Sequence, residues 1–299
     1  MKFEMWGLSG TLATENEHQL DDATQRLWHW LDAFDAACNR FRDDSELSRL
    51  NESHGATMSI SPTLELALEA ALRASNATGQ MVDPTVLPAL LALGYDRDYD
   101  ELIDDESIPE RAAVPSIGPS SIHLNVIEHT VTLDPPSRLD LGASAKALVV
   151  DLVADDVAAS GGVVVELGGD VAVRGEGPDG PWVIAVSDSL VLDGLEPRVA
   201  FRHGGIATSS STTRTWRSGG RIVNHIIDPR TGQSANGLYT TATVSASDCV
   251  LANAFATAAL LWNEEASYHI AQAGWSARLV RRDGDIEFVG GWPTDTATR

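Results

Sequence analysis

The sequence predicts an α+β fold: one large domain over residues 1–299, with a mostly antiparallel sheet and helices packed on it. Two observations carry this. Helical periodicity recurs in widely separated stretches. Short strand-like segments between 182 and 246 lie among them without the regular βαβ alternation of a doubly wound parallel sheet. A chain of 299 residues can bury a large core, and no internal repeat or low-complexity linker divides it.

Each element has its own signal. Residues 1–14 alternate weakly and read as a strand. From 16 to 38, Leu20, Ala23, Leu27, Trp30, Leu31 and Phe34 recur at spacings of three and four, the stripe of an amphipathic helix. Ser61 and Pro62 form an N-cap and first-turn pair, so a second helix starts there and ends at Gly79. Residues 95–120 are acidic and interrupted by Pro and Gly, which reads as a surface loop, and 121–134 read as a hairpin. A strand carrying Leu139 and Leu141 runs into Gly142, and a helix follows to about Ala159. VVVEL at 163–167 is a buried strand that a Gly-Gly-Asp turn joins to VAVRG. WVIAVS, RVAFR, GIATS, RIVNHII and TTATVSA are short strands, and 248–273 returns to helix. SARLVRR and IEFVGG close the chain as two strands around Asp283-Gly284.

Composition narrows the function. The 43 acidic residues against 21 basic ones give a formal charge of -22. That argues against general binding to nucleic acid or anionic membrane, both of which need basic surface, but not against an anionic ligand met by local donors. Cys38 and Cys249 form neither a metal spacing nor a disulfide framework and read as buried free thiols. The N-terminal MKFEMWGLSGTLAT lacks the apolar run of a signal peptide, and no segment reaches the roughly 20 apolar residues of a membrane span. The expectation is a soluble, cytoplasmic protein. The oligomeric state is not readable.

Four stretches carry candidate chemistry. In LDLGASAKALVVD (139–151) the helix start after Gly142 offers unpaired N–H groups, small residues and a cation, Lys146. The chain has only two lysines, Lys2 and Lys146, against an arginine default. Taken alone, Lys146 serves equally well as a phosphate contact or a solvated helix residue. In HIIDPRTG (225–232) the alternation sets His225 and Ile227 on one side of a strand, Asp228-Pro229 opens a turn and Gly232 closes it. A hairpin turn and a proton-transfer site are both consistent with it. GGIATSSSTTRTW (204–216) holds seven Ser/Thr residues within 208–215, suited to capping or to phosphate and cation contacts. In SDCVLANAFATAAL, Asn253 and Thr257 stand four apart on one helix face, as satisfied interior polar groups or as oxygen ligands for a hard cation.

The ordered set is more specific than any member. FRDDSELSRLN (41–51), GQMVDPTVLPALLALGY (79–95), LDLGASAKALVVD, VVVELGGDVAVRG (163–175), GIATSSSTTRTW, HIIDPRTG and ANAFATAA (252–259) together resemble the ApbE family, the Mg2+-dependent FAD:protein FMN transferases. The resemblance implies that FAD is bound, its pyrophosphate is split, FMN passes to a Ser/Thr hydroxyl of a protein acceptor, and AMP leaves. It implies that Met81, Val82, Asp83, Asp140, Lys146, Ile226 and Ile227 contact the flavin nucleotide. Ala143 matches a position whose backbone carbonyl meets Mg2+, and Thr257 matches a ligating threonine. His225 and Asp228 are the nearest candidates for a base. One departure matters. Where the family pattern is Ala-Asp-Ala-x-x-Thr-Ala, this chain has Asn253, so an amide stands where the metal-binding carboxylate is usual. On that reading Asn253→Asp raises or preserves activity. Two other functions stay open: a Mg2+-dependent FAD pyrophosphatase, which releases AMP without an acceptor, and a non-catalytic flavin-binding protein, which releases none.

Overall fold

The computed structural model describes residues 1–102, 108–109, 111–187 and 196–293. The chain forms two compact units. The first comprises Met1–Asp32, Lys146–Thr213 and Leu238–Arg299, and the second Ala33–Ala145 and Arg214–Gly237.

The first unit is built on an eight-stranded sheet in which spatial order follows chain order and every neighbouring pair is antiparallel. Its strands are Lys2–Met5, Leu8–Thr14, Val163–Leu167, Asp170–Arg174, His203–Ser210, Tyr239–Ala246, Ser276–Arg281 and Ile286–Val289. The single strand expected over 1–14 is a hairpin. Trp6 and Gly7 both take positive φ, the requirement of a two-residue turn that matches strand twist. Gly168 and Gly169 do the same between Leu167 and Asp170, so Asp170 is the first residue of its strand.

The Cys249–Trp262 helix packs on this sheet. Apart from Leu251, its residues from Cys249 to Leu261 are buried, which its alanines permit. A Cβ on Gly205 would come within 2.2 Å of the Cys249 nitrogen, so only glycine allows this strand to approach the helix start. The helix expected over 248–273 breaks at Asn263, whose φ is 55°, and resumes as Ala266–Gln272.

The second unit holds the Glu46–Asn51, Pro62–Ala77 and Leu87–Ala92 helices and three small sheets. Ser61 caps its helix by accepting from the Leu64 N–H, and the hairpin of Ile122–Asn125 and Thr130–Leu133 forms as expected. The core gathers Leu90, Leu93, Tyr95, Leu102, Ile108, Trp216, Val223 and Ile227. The expected surface loop over 95–120 therefore anchors Tyr95, Leu102 and Ile108 in that core. Residues 103–107 and 110 of it lie outside the described residues.

One expected strand does not form and another is interrupted. Leu139 and Leu141 are buried but lie in no sheet. The Asn51 amide takes both backbone groups of Leu139, donating to its carbonyl at 2.9 Å and accepting from its N–H at 2.6 Å. RIVNHII breaks at His225 because the Asn224 side chain accepts from the Ile226 N–H and donates to the Ala235 carbonyl. The Ala145–Ala158 helix confirms the helix expected after Gly142. Both cysteines are free; Cys249 is buried, while Cys38 is only half-buried, and burial with the nearby Glu46 charge pushes its thiol up to about 12. Among the described residues no helix is long and apolar enough to cross a membrane.

Candidate functional site

In the first unit the structure brings Lys146, Asn253 and Thr257 into one polar cluster with Ser209, one of the seven Ser/Thr residues of 208–215, and adds Asp170, which sequence reasoning did not single out. Lys146 Nζ donates to Asp170 Oδ2 at 3.2 Å, with side-chain exposures of 23% and 2%. Asn253 Nδ2 donates to Asp170 Oδ1 at 2.7 Å. Thr257, one turn on, shares a 2.9 Å hydrogen bond with Ser209. The one interior lysine is thus the counter-charge of a buried carboxylate, which lies at the start of a strand because the Gly-Gly turn ends there. Asn253 is 6% exposed, and its Oδ1 is buried with no hydrogen-bond partner. A buried amide oxygen left unpaired is costly, so this atom is poised for a ligand. Amide, hydroxyl and carboxylate oxygens are the donors that hard cations take, and the cluster fits one. Among the described residues no group of three or more His, Cys, Asp and Glu is placed to hold a metal ion.

The second unit assembles the other predicted residues into a hydrogen-bonded frame. Met81, Val82 and Asp83 are all buried. Asp83 Oδ1 accepts from the Thr85 N–H and hydroxyl, each at 2.8 Å, and Oδ2 accepts from the Ser116 hydroxyl. Asp83 therefore caps its own turn. The Asp140 N–H donates to the Pro84 carbonyl at 2.8 Å, joining 81–84 to 139–142. Ser116 N–H donates to the Pro229 carbonyl at 2.8 Å, joining the same turn to the HIIDPRTG loop.

Asp140 is held on both oxygens, by the Gly142 N–H at 2.8 Å and by Arg40 Nε at 2.6 Å. The Arg40 guanidinium lies over Phe41 and Tyr95, 4.0 and 4.6 Å from the ring centroids. A Cβ on Gly142 would come within 2.9 Å of Asp140 Oδ1, which explains the glycine. Ala143 lies in the turn between Gly142 and the helix. Ile226 and Ile227 are both buried, so the alternation expected of a strand is not kept, and His225 is half-buried between two short strands. Asp228 opens the turn as expected, its carbonyl accepting from the Thr231 and Gly232 N–H groups. Burial opposes ionisation of its carboxyl, but the Arg230 guanidinium, at 2.9 and 2.7 Å from the two oxygens, prevails and holds it below the usual range. Arg40 and Ser116 carried no sequence signal of their own; Arg40 stands one residue before the FRDDSELSRLN stretch.

These features define an α+β protein with a buried cluster of oxygen donors beside its one interior lysine. Residues 7–279 match the model of the ApbE family, and the chain belongs to that family. The FAD:protein FMN transferase of Vibrio cholerae serotype O1 is 30% identical over 274 residues, covering 89% of this chain and 77% of that protein. That of Rhodobacter capsulatus is 32% identical over 252 residues, covering 81% of this chain and 47% of its own length. Among solved structures, the ApbE protein of Thermotoga maritima has a TM-score of 0.81 at 21% identity, covering 97% of this chain and 96% of that one. The apo flavinyl transferase ApbE of Pseudomonas stutzeri has a TM-score of 0.78 at 22% identity, covering 97% and 92%. Both share this fold.

Proposed function

We propose that this protein is a Mg2+-dependent FAD:protein FMN transferase that passes FMN from FAD to a Ser or Thr hydroxyl of an acceptor protein and releases AMP. The observation that carries the reading is the unpartnered, buried Asn253 Oδ1 beside Lys146 and Thr257, in a chain whose relatives bear that name. The whole chain over 1–299 is read as one transferase domain, since both units are assembled from discontinuous segments.

In this reaction the acceptor oxygen forms a bond to the FMN phosphorus, the pyrophosphate P–O bond breaks, and the hydroxyl proton goes to a base. Such transfer depends on positioning and charge neutralisation more than on covalent chemistry. When bound, Mg2+ supplies charge neutralisation at the pyrophosphate. Asn253 Oδ1 and Thr257 Oγ1 are the groups that would hold it. Lys146 is read as a phosphate contact, and 81–83, Asp140 and 226–227 as flavin-nucleotide contacts. His225 takes the proton. Asp228 is the weaker candidate because Arg230 occupies both its oxygens and lowers its affinity for a proton.

The test incubates the purified protein with FAD, with and without Mg2+, and with an acceptor carrying a flavinylation Ser/Thr. Expected are Mg2+-dependent AMP and an acceptor heavier by FMN, both reduced about 100-fold or more in His225→Ala. AMP without an acceptor would make the protein a pyrophosphatase. Bound FAD with no AMP, for two different acceptors, would make it a flavin-binding protein.

A further inference from the structure

We infer that Asp170 is a positioning residue: its buried carboxylate fixes which end of the Asn253 amide is presented to the divalent cation. The inference rests on the proposed function, in which Asn253 faces that cation, and adds a residue with no assigned part in it.

An amide has a donor end and an acceptor end of nearly equal shape, so its direction is set by what surrounds it. An ionised carboxylate only accepts. Asp170 Oδ1, 2.7 Å from Asn253 Nδ2, therefore takes the NH2 end. Its other oxygen is engaged by Lys146. Asn253 Oδ1 is thereby turned away from Asp170 and left buried without a hydrogen-bond partner. Rotation of the amide by half a turn would set two oxygens against each other and lose the hydrogen bond. Asp170 is itself held firmly, 1% exposed, at the end of the two-glycine turn.

The same geometry explains why an amide is compatible with position 253. A carboxylate there would meet the Asp170 carboxylate at hydrogen-bond distance, with one lysine between the two charges. The negative charge of this cluster stands at 170, one hydrogen bond behind the ligand oxygen. On this inference Asn253→Asp is expected to weaken cation binding, the opposite of the expectation drawn from the family pattern. Exchange of the pair is different. With an amide at 170 and a carboxylate at 253, the amide NH2 donates to the new carboxylate and its carbonyl accepts from Lys146. The carboxylate's second oxygen then takes the place of Asn253 Oδ1.

The experiment measures Mn2+ binding by electron paramagnetic resonance on the full chain, with FAD present and no acceptor, alongside the thermal unfolding midpoint. Asp170→Asn and Asn253→Asp are each expected to weaken Mn2+ binding about tenfold or more. The double variant Asp170→Asn/Asn253→Asp is expected to restore binding to the wild-type level or beyond. A purely structural Asp170 would shift the unfolding midpoint and leave the Mn2+ affinity of the folded protein unchanged. Wild-type affinity in folded Asp170→Asn, or a double variant that binds no better than the single ones, overturns the inference. If Asp170→Asn does not fold, the double variant decides alone. Absence of Mn2+ binding by the wild type itself would overturn the cation reading beneath it, a different result.

Discussion

Arg40 is a cation whose surroundings make it irreplaceable by lysine. Its side chain is 9% exposed, its Nε donates to Asp140, and its guanidinium plane covers Phe41 and Tyr95. Lysine has no plane to stack on the two rings and no Nε at this point along its side chain, so Arg40→Lys loses the stacking and leaves an Asp140 oxygen poorly paired in a mostly buried setting. The expected loss is about 1–3 kcal/mol of unfolding free energy in urea titration, with weaker FAD binding. Arg26→Lys is the control: Arg26 pairs with Asp22 on an exposed helix face, and its replacement is expected to leave the urea midpoint unmoved. Equal behaviour of the two variants would show that the Arg40 environment contributes nothing. The pair also marks the limit of sequence reading at this scale. Asn253 and Thr257 were legible because helical spacing alone puts them on one face. Arg40 and Asp140 stand 100 positions apart, and Asn253 and Asp170 stand 83 apart, so only the folded chain introduces them. Lys146 was conspicuous by rarity, yet its partner was invisible.

The start of the Cys249–Trp262 helix carries two acids, each serving the unpaired N–H groups there. Asp248 accepts from Leu251 N–H at 3.0 Å. Asp151, from the Ala145–Ala158 helix, accepts from the Cys249 and Val250 N–H groups at 3.0 and 3.1 Å and also pairs with Arg174. Burial raises the Asp151 carboxyl to about 6, a rise that the two N–H groups and Arg174 oppose and Asp248 assists. Its folded value lies above the unfolded one, so the folded state holds more protons between about pH 4 and pH 6. The stability Asp151 contributes is therefore full below about pH 4 and falls as the pH rises through 6, by about 2–3 kcal/mol. Urea titrations of the wild type and Asp151→Asn across pH 4–7 check this: the difference between the two free energies should change across that window, and parallel curves would refute the shift. The sequence announced this helix but not its Asp248 cap, whereas it announced both Ser61 and Pro62. It missed the two places where a side-chain amide replaces a strand partner, Asn51 at Leu139 and Asn224 at His225. Local propensity favours a strand in both; at Leu139 a hydrogen bond from a distant residue decides otherwise, and at His225 a local turn closed by the Asn224 side chain does so.

At the scale of the whole chain, each unit depends on segments far apart in sequence. The order of the eight strands follows the chain, yet the second unit departs from it after the first strands and returns for Arg214–Gly237. That late segment is not an ornament of the second unit. It brings Trp216, Val223 and Ile227 into the core, and Trp216 Nε1 donates to the Leu93 carbonyl at 2.8 Å. Tyr99 and Thr215 exchange two further hydrogen bonds, and Val114 lies against Gly232, where a Cβ would come within 2.3 Å of its backbone. Residues 33–145 alone would leave the Leu90, Leu93 and Tyr95 surface exposed and the Leu93 carbonyl without the indole. Loss of one large buried aromatic costs about 3–5 kcal/mol, and here two aliphatic residues leave with it, which exceeds the margin of an ordinary domain of this size. The fragment 33–145 is therefore expected to lack the dispersed amide signals of a folded protein in a proton–nitrogen correlation spectrum. A chain in which a flexible linker joins 33–145 to 214–237 is expected to regain them. A folded 33–145 fragment would show that the late segment is dispensable. Failure of the linked chain would show that contacts within the unit are insufficient for it to fold by itself. Either result bears on why the motifs of this sequence are spread along so much of its length: the residues of one unit are contributed before and after those of the other, and no contiguous stretch holds a complete core.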